Sequence, residues 1–255
     1  GLNIMQFKTD GIVIRQQKIN DNDRYLTILT RDSGVIHAYA NRANSIRSPF
    51  CTSTSLMCYS DFIFSESKGN YRVCSADLRN AFFKIGRDLT KVSLSAYLLD
   101  ISATVGVTDG LESEPLLRLL LNTLFFLEKD GADLFLLKTL FEVRALTLAG
   151  FAPQVAACCD CGIYPESAAY FFITDGELLC PSCMESRERK TGGRKLEKDL
   201  LDVLRVMVFG KLSDAFKIRL PKSRMRKLSE ITEEFCRCQL EKAFDTLTFF
   251  YDTVQ

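Results

Sequence analysis

Four of the ten cysteines in this 255-residue chain have the spacing of metal ligands, in two C-x2-C pairs, Cys158/Cys161 and Cys180/Cys183. The 18 residues between the pairs fall within the range typical of a four-cysteine zinc site. Two intervening residues let a tight turn direct both sulfurs at one ion, and Gly162 lets the backbone curl past the second sulfur. Four thiolates complete a tetrahedral shell with no open position. We therefore predict one structural Zn2+ per chain, held by these four cysteines.

Two weaker interpretations of the same cysteines stay open. One is a site that has lost its metal, and the other is a redox or disulfide pair formed by Cys158 and Cys161. A redox pair needs only one C-x2-C at the start of a helix, whereas this chain has two. Cys159 is one residue too close to Cys161 to replace Cys158 as a ligand.

The sequence offers little material for catalysis. Its single histidine, His37, lies in an alternating run and is predicted to be a satisfied barrel residue. No Gly-rich phosphate loop or G-x-S-x-G elbow is present. A closed four-thiolate site does not activate water. We predict that the protein is not an enzyme and has no small-molecule substrate.

Hydrophobic periodicity places these cysteines in an α+β multidomain chain. Short alternating runs over residues 7–79, with turn signals at Asp32–Gly34 and Lys68–Asn70, are typical of hairpin-linked strands. Five such strands suit a closed barrel of the oligonucleotide/oligosaccharide-binding (OB) type. From about residue 80 the period becomes helical, and the helices are apolar nearly all round, as in a bundle. The predicted order is an N-terminal five-stranded OB-type β-barrel at 5–79, the first part of an α-helical domain at 80–150, an inserted four-cysteine zinc module at 151–190 and the second helical part at 191–255.

Several element bounds are specific enough to test. A long strand is predicted over 54–65. Pro115 marks the first turn of one helix and Asp133 caps the next. The helices are predicted over 93–105, 114–128, 133–148, 196–209 and 222–252.

Composition and charge narrow the function classes. A 47% hydrophobic and 25% charged content excludes a disordered chain, and no run approaches the roughly 18 apolar residues of a membrane span. No basic segment followed by an apolar one opens the sequence, so we expect a cytoplasmic protein without membrane contact. Residues 1–4 are expected to be an expression remnant ahead of Met5.

The net charge of +1 conceals an uneven distribution of charge along the chain. Residues 186–230 hold 14 basic and 6 acidic residues, whereas residues 100–185 hold 4 basic and 13 acidic.

The order of barrel, helices, four-cysteine insertion and further helices carries a resemblance. The stretches that carry it are Thr9–Arg15, Asp23–Thr30, Asp32–Gly34, Ala38–Arg42, Arg47–Ser48, Ala149–Pro153, Cys158–Gly162 and Gly176–Cys180. Together they resemble the RecO family of bacterial recombination mediators over essentially the whole chain from Met5. The loop after the third strand keeps two basic residues, Arg42 and Arg47, where the family usually has more.

The resemblance implies a DNA-repair protein that binds single- and double-stranded DNA without sequence preference and anneals complementary strands. It also implies that the protein helps to load a recombinase together with RecR and single-stranded-DNA-binding protein, whose acidic, apolar C-terminal tail docks on the helical part. The residues that we expect to contact DNA are Arg15, Arg24, Arg31, Arg42, Arg47, Arg187, Arg189, Lys190, Arg194 and Lys195. Tyr25, Tyr39 and Phe50 are candidate base-stacking rings, although packing in the barrel core is the expected role.

Two other classes of protein stay open. One is a protein-interaction scaffold with a structural zinc module and little DNA affinity of its own. The other is a redox or metal-dependent enzyme that uses Cys158 and Cys161. Binding of DNA that weakens steeply with salt separates the mediator from the scaffold, and thiols inert to mild alkylation argue against the enzyme.

Overall fold

A computed structural model describes residues 5–107, 113–186 and 192–254. It confirms the predicted fold class, in which a closed five-stranded barrel precedes helices and a four-cysteine cluster. The barrel strands are β1 Met5–Lys18, β2 Arg24–Thr30, β3 Val35–Ala40, β4 Tyr59–Ser67 and β5 Asn70–Asn80. The other strands are β6 Ala168–Phe172, β7 Glu177–Leu179 and β8 Gly193–Glu197. The helices are α1 Leu89–Val105, α2 Glu114–Leu127, α3 Leu134–Leu148, α4 Pro181–Ser186, α5 Lys198–Phe209, α6 Leu212–Ala215, α7 Lys222–Gln239 and α8 Asp245–Thr253.

The barrel closes because β1 is long enough to pair with two neighbours. Its first half is antiparallel to β4 and its second half is antiparallel to β2, with a bulge between Val13 and Arg15. A bulge of this kind bends a strand and increases its twist, which closure requires. On the other side β3 pairs with β5 in parallel, so that the strand order is β1-β2-β3-β5-β4. The β4–β5 hairpin turns at Lys68 and Gly69, which both have positive φ, as the predicted turn requires.

The fourth strand begins at Tyr59, not at Thr54 as predicted. Thr54 Oγ1 donates to the carbonyl oxygen of Phe50, and Ser55 Oγ donates to that of Cys51. Hydroxyl groups that bond to nearby backbone in this way compete with a strand ladder. The segment before Tyr59 is therefore a series of turns.

Alternation along the strands separates the barrel core from its surface. Leu26, Ile28, Ile36, Phe62 and Phe64 point inward and are buried. Small side chains complete the interior on β3, where Ala38 and Ala40 are also fully buried.

The contacts divide the chain into two compact units. The first unit comprises Gly1–Ala132 and Phe244–Gln255, and the second comprises Asp133–Ala243. This division cuts across two of the four segments predicted from the sequence, at 80–150 and 191–255. The division of the chain into the four predicted segments therefore remains a proposal.

In the first unit, α1 lies against both α8 and β1. Asp88 caps α1 by accepting hydrogen bonds from the backbone N–H groups of Thr90 (2.9 Å) and Lys91 (3.2 Å). Pro115 lies in the first turn of α2, as predicted.

In the second unit, α3 packs against α5 and α7, and β7, β6 and β8 form a sheet in that order. Asp133 caps α3 as predicted, by accepting from Leu136 N–H at 3.0 Å. The helix predicted from about Leu196 to Phe209 is α5, which begins at Lys198 because Leu196 belongs to β8, pairs with Ala169 and is buried. The single helix predicted over 222–252 is two, α7 and α8, separated by a segment in which Glu241 has a positive φ of 49°.

Among residues 5–107, 113–186 and 192–254, no helix combines the length and the apolar character needed to cross a membrane.

Candidate metal centre and nucleic-acid interface

Two turns in the second unit bring the four predicted cysteines together. The first turn carries Cys158 and Cys161, and Gly162, at φ 72°, donates its N–H to the Cys158 carbonyl at 2.9 Å. The β6–β7 hairpin then returns the chain, with Gly176 in its turn at φ 67°. The positive φ at both glycines explains why the sequence has glycine there.

The sulfur atoms of Cys158, Cys161, Cys180 and Cys183 all lie within 4.8 Å of one another. The sulfurs of Cys161 and Cys180 are 3.8 Å apart. A tetrahedron with 2.3 Å metal–sulfur bonds has sulfur–sulfur edges of about 3.8 Å. The cluster therefore fits one tetrahedral metal ion, and it contains the four cysteines predicted.

Electrostatics also favour a cation between these sulfurs. Burial alone would raise the pKa of Cys158, but backbone N–H groups of Cys180, Cys161 and Asp160 lower that pKa to about 6. The pKa of Cys183 is raised because its thiol hydrogen-bonds to Cys161 and Cys180. One thiolate is thus favoured and further ionisation is opposed, so a bound metal ion is needed to hold four thiolates at this distance.

Cys159 is not part of this cluster. Its sulfur lies 3.7 Å from an oxygen of Asp160. Burial, followed by the nearby Glu177, raises the pKa of its thiol to about 11. The spacing argument, which favoured Cys158 over Cys159, is confirmed.

Arg205 supports the first cysteine turn, and sequence reasoning missed it. This buried guanidinium donates to the carbonyl oxygens of Val155 (2.9 Å) and Pro165 (3.0 Å), and it lies 3.8 Å from the centre of the Tyr164 ring. It therefore ties both flanks of the turn to α5. The only sequence signal for this role was a charged residue within the otherwise apolar pattern of a predicted helix.

A group of aromatic rings lies on the outer face of the barrel. Tyr25 on β2 is directly opposite Tyr39 on β3, and their ring centroids are 4.8 Å apart. His37 lies one step along β3, with its ring nearly parallel to that of Tyr25 at 6.1 Å. The side chain of Tyr39 is 41% exposed and His37 is exposed as well.

These positions correct the expectation that Tyr25 and Tyr39 pack in the barrel core. Both side chains lie on the outer face, because the inward positions are Leu26 and Ile28 on β2 and Ile36, Ala38 and Ala40 on β3. His37 is exposed, and it is satisfied within the barrel as predicted, since Thr27 Oγ1 lies 3.2 Å from its Nδ1. The expectation is confirmed for Phe50, which packs against the barrel core.

Cations flank the aromatic rings. Arg72 on β5 pairs in register with Tyr39, and with Lys68 and Asn70 it lines an open cleft of about 420 Å³. Sequence reasoning did not select Lys68 or Arg72, because the parallel pairing of β3 with β5 joins strands that are not consecutive in the chain.

Arg42 and Arg47, which were predicted to contact DNA, lie on the loop after β3 and are exposed. Arg42 has a positive φ of 57°, and its backbone N–H donates to Asp23 Oδ1 at 2.8 Å. In the part of the chain that the structure describes, neither guanidinium belongs to an ion pair. Both are therefore available for an anionic ligand.

Three other predicted arginines of the barrel make internal contacts. Arg24 is only 8% exposed and donates to Asn44 Oδ1 (2.7 Å) and the Cys51 carbonyl (2.8 Å). Arg31 pairs with Asp10 at 2.9 Å and Glu114 at 3.4 Å. Arg15 pairs with Asp100 at 2.7 Å and keeps half of its side chain exposed.

The second predicted basic run is described only in part. Arg187, Arg189 and Lys190 lie outside the described residues. Arg194 pairs with Glu234 at 2.7 Å on the exposed side of β8, next to the exposed Lys195.

Comparisons with known proteins agree with this architecture. Residues 5–82 match the model of the recombination protein O N-terminal domain, and residues 86–248 match that of the recombination protein O C-terminal domain. The chain is 31% identical to the DNA repair protein RecO of Acetivibrio thermocellus over 242 residues, which is 95% of either chain. It is 29% identical to that of Caldicellulosiruptor bescii over 247 residues (95% of this chain, 97% of the relative), and 24% identical to that of Symbiobacterium thermophilum over 252 residues (98% of both). The chain therefore belongs to the RecO family of DNA repair proteins.

Proposed function

We propose that this protein is a DNA-binding recombination mediator that acts in the cytoplasm. It binds single- and double-stranded DNA without sequence preference, anneals complementary strands and assists recombinase loading together with RecR and single-stranded-DNA-binding protein. The proposal includes no catalytic step. The observation that carries it is a set of four exposed barrel cations, none of which makes an ion pair with a described residue: Arg42 and Arg47 on the loop after β3, and Lys68 and Arg72, which line one cleft.

Electrostatics explains how such a group binds DNA. Each cation that neutralises a phosphate releases a condensed counterion, so affinity falls with salt and does not depend on base sequence. Annealing requires the same property, because a surface that neutralises two strands reduces their mutual repulsion. Arg24 contributes indirectly, since it binds Asn44 and Cys51 of the loop that carries Arg42 and Arg47.

We further propose that the metal is zinc and that its role is structural. Zinc is the ion that four thiolates in a tetrahedron suit best, and such a shell leaves no position for a substrate or a reactive water. The ion would hold the two cysteine turns of the second unit together.

The DNA-binding proposal is tested by titrating labelled single- and double-stranded oligonucleotides with the full chain at several salt concentrations. We expect the double variant Arg42→Ala/Arg72→Ala to bind both DNAs more weakly and to have a shallower salt dependence. For single strands the log–log slope should become shallower by about 1.4, which is two contacts at about 0.7 each. The control is Arg118→Ala, which removes an exposed arginine of α2 that lies 3.7 Å from Glu114.

No binding by the folded, metal-loaded protein even at low salt would contradict this proposal and favour the interaction scaffold. A slope that changes as much for Arg118→Ala as for the double variant would show that the barrel face is not the contact.

For the tail of single-stranded-DNA-binding protein, we propose a docking patch in the first unit. Phe83 is 71% exposed and Phe125 is 51% exposed. Lys129 Nζ lies 4.7 Å from the centre of the Phe125 ring, and Lys91 Nζ donates to the Lys129 carbonyl at 2.8 Å. The backbone N–H of Lys84 donates to Glu128 Oε1 at 3.2 Å, which places Phe83 beside the end of α2. Exposed rings beside lysines suit a peptide that is both apolar and acidic.

This partner proposal is tested with a fluorescent peptide that carries the acidic C-terminal residues of single-stranded-DNA-binding protein. We expect Phe125→Ala to weaken peptide binding at least tenfold, because burying such a ring contributes about 1.5–3 kcal/mol, a factor of about 10–150. Phe209→Ala, at a ring with comparable exposure in the second unit, is the control. Equal effects of the two substitutions would rule out this patch.

A further inference from the structure

We propose that Tyr25, His37 and Tyr39 form a base-stacking platform that makes the barrel face selective for single-stranded DNA. This inference rests on the proposed DNA-binding function and adds a preference that phosphate contacts alone do not provide. The platform consists of these three rings only, and the cations beside it are Lys68 and Arg72.

The first argument is that the outer face of β3 carries two large rings, whereas two of its three inward positions are alanines. In a barrel strand the large apolar residues normally point inward and small or polar residues point outward. On β3 the small residues Ala38 and Ala40 are fully buried, while the rings of His37 and Tyr39 face solvent. The interior does not require these rings, so a role in folding does not explain their exposure.

The second argument is the arrangement of the rings relative to one another. Tyr25 and Tyr39 are cross-strand partners, and so are Thr27 and His37. Thr27 Oγ1 is 3.2 Å from His37 Nδ1, a contact that fixes the imidazole ring. The His37 and Tyr25 rings are inclined by only 13° to each other. Fixed rings lose little conformational freedom when a planar ligand stacks on them.

The third argument is the chemistry of the adjoining cleft. Its lining consists of Tyr39, Ser65, Ser67, Lys68, Asn70 and Arg72. Hydroxyl, amide and cationic donors suit phosphate and sugar oxygens, while the ring of Tyr39 borders the same space. A ring for a base beside cations for its phosphate is the combination found in grooves that bind single strands.

These features favour single-stranded DNA over duplex DNA as the ligand of the platform. Bases in a duplex are stacked on one another and cannot also stack on a protein ring without being extruded. Bases of a single strand are free to do so, and each stacked base contributes about 1–3 kcal/mol, a factor of about 5–150 in affinity. The platform therefore increases single-strand affinity and leaves duplex affinity to the cations.

The experiment compares three labelled ligands of equal length with the full chain: a thymidine oligonucleotide, the same strand with abasic sites, and a duplex. We expect Tyr39→Ala to weaken thymidine-strand binding at least fivefold, with an unchanged salt slope, and to change duplex and abasic binding less than twofold. Tyr39→Phe keeps the ring and should retain wild-type affinity, whereas Arg72→Ala should weaken binding to all three ligands. His37→Ala is a second, independent test, because this exposed side chain can be removed without opening the core.

The failure modes are distinguishable. If the wild-type protein binds none of the ligands, the proposed function and this inference both fail. If it binds all three but Tyr39→Ala and His37→Ala leave thymidine-strand affinity unchanged, or reduce duplex affinity equally, the platform is refuted while DNA binding stands.

Discussion

At the residue scale, burial decides what a charged side chain does in this protein. Lys138 is completely buried, and its Nζ lies 2.9 Å from an oxygen of Glu142, 2.9 Å from one of Glu233 and 3.1 Å from Ser229 Oγ. Lys198 pairs with its own i+4 carboxylate at a similar distance, 3.1 Å from Asp202, but 65% of its side chain is exposed. The two lysines therefore form a matched pair that differs in burial.

Replacement of Lys138 should be far more costly than replacement of Lys198. We expect Lys138→Met to lower the free energy of unfolding by about 3–5 kcal/mol, because it leaves buried carboxylates without their cation. Lys198→Met should change it by less than about 0.5 kcal/mol, since an exposed i,i+4 pair contributes little. Urea unfolding of both variants measures the difference, and equal losses would contradict the argument.

The distance along the chain between interacting residues explains which functional residues could be predicted from the sequence. The cluster of four cysteines was predicted because its geometry depends on spacings of two residues within each turn. The fates of Arg24 and Arg31 were not predicted, because their partners Asn44 and Asp10 lie 20 and 21 residues away and are brought close only by the fold. An arginine's residue type does not indicate whether a carboxylate or a phosphate satisfies it.

At the scale of elements, alternation predicted the barrel strands but not which side of β3 is inside. Both sides of β3 carry apolar side chains, so the pattern alone favours the large rings as core. The interior volume decides otherwise, because Phe62 and Phe64 of β4 already stack inside the barrel with centroids 5.4 Å apart. Ala38 and Ala40 fit the remaining space, and the rings of His37 and Tyr39 are left outside.

The start of the helix predicted from about Leu196 moves to Lys198 because tertiary pairing outweighs local preference. The residues of β8 have ordinary helix propensity, but β6 offers them a ladder from Ala168 to Phe172. That ladder buries Leu196 and satisfies backbone groups that a helix start would leave unpaired. Sequence periodicity over five residues is too short to reveal this choice.

At the scale of the whole molecule, only some of the basic side chains in the most basic segment, residues 186–230, are available to bind ligands. Arg224 and Lys227, in the most basic segment, pair with Glu197, and Arg224 also pairs with Asp199. Lys227 and then Arg224 lower the pKa of Glu197, and Arg224 lowers that of Asp199. These cations stabilise the second unit, which explains their place at the start of α7 without a DNA contact.

The division into two units predicts how the metal-loaded protein responds to removal of the ion. The four cysteines all lie in the second unit, next to its sheet, while the barrel has its own core. Chelation, or Cys180→Ser, should therefore remove amide hydrogen-exchange protection from residues 151–186 and leave the protection of the barrel strands unchanged. The matched control is Cys74→Ser, which removes an exposed thiol from the barrel surface and should leave the protection of residues 151–186 unchanged. Zinc added back to the chelated protein should restore the protection. Unchanged protection at 151–186 after complete removal of the metal would mean that the β6–β7 hairpin and Arg205 suffice to hold both cysteine turns, and the structural role proposed for the ion would be wrong.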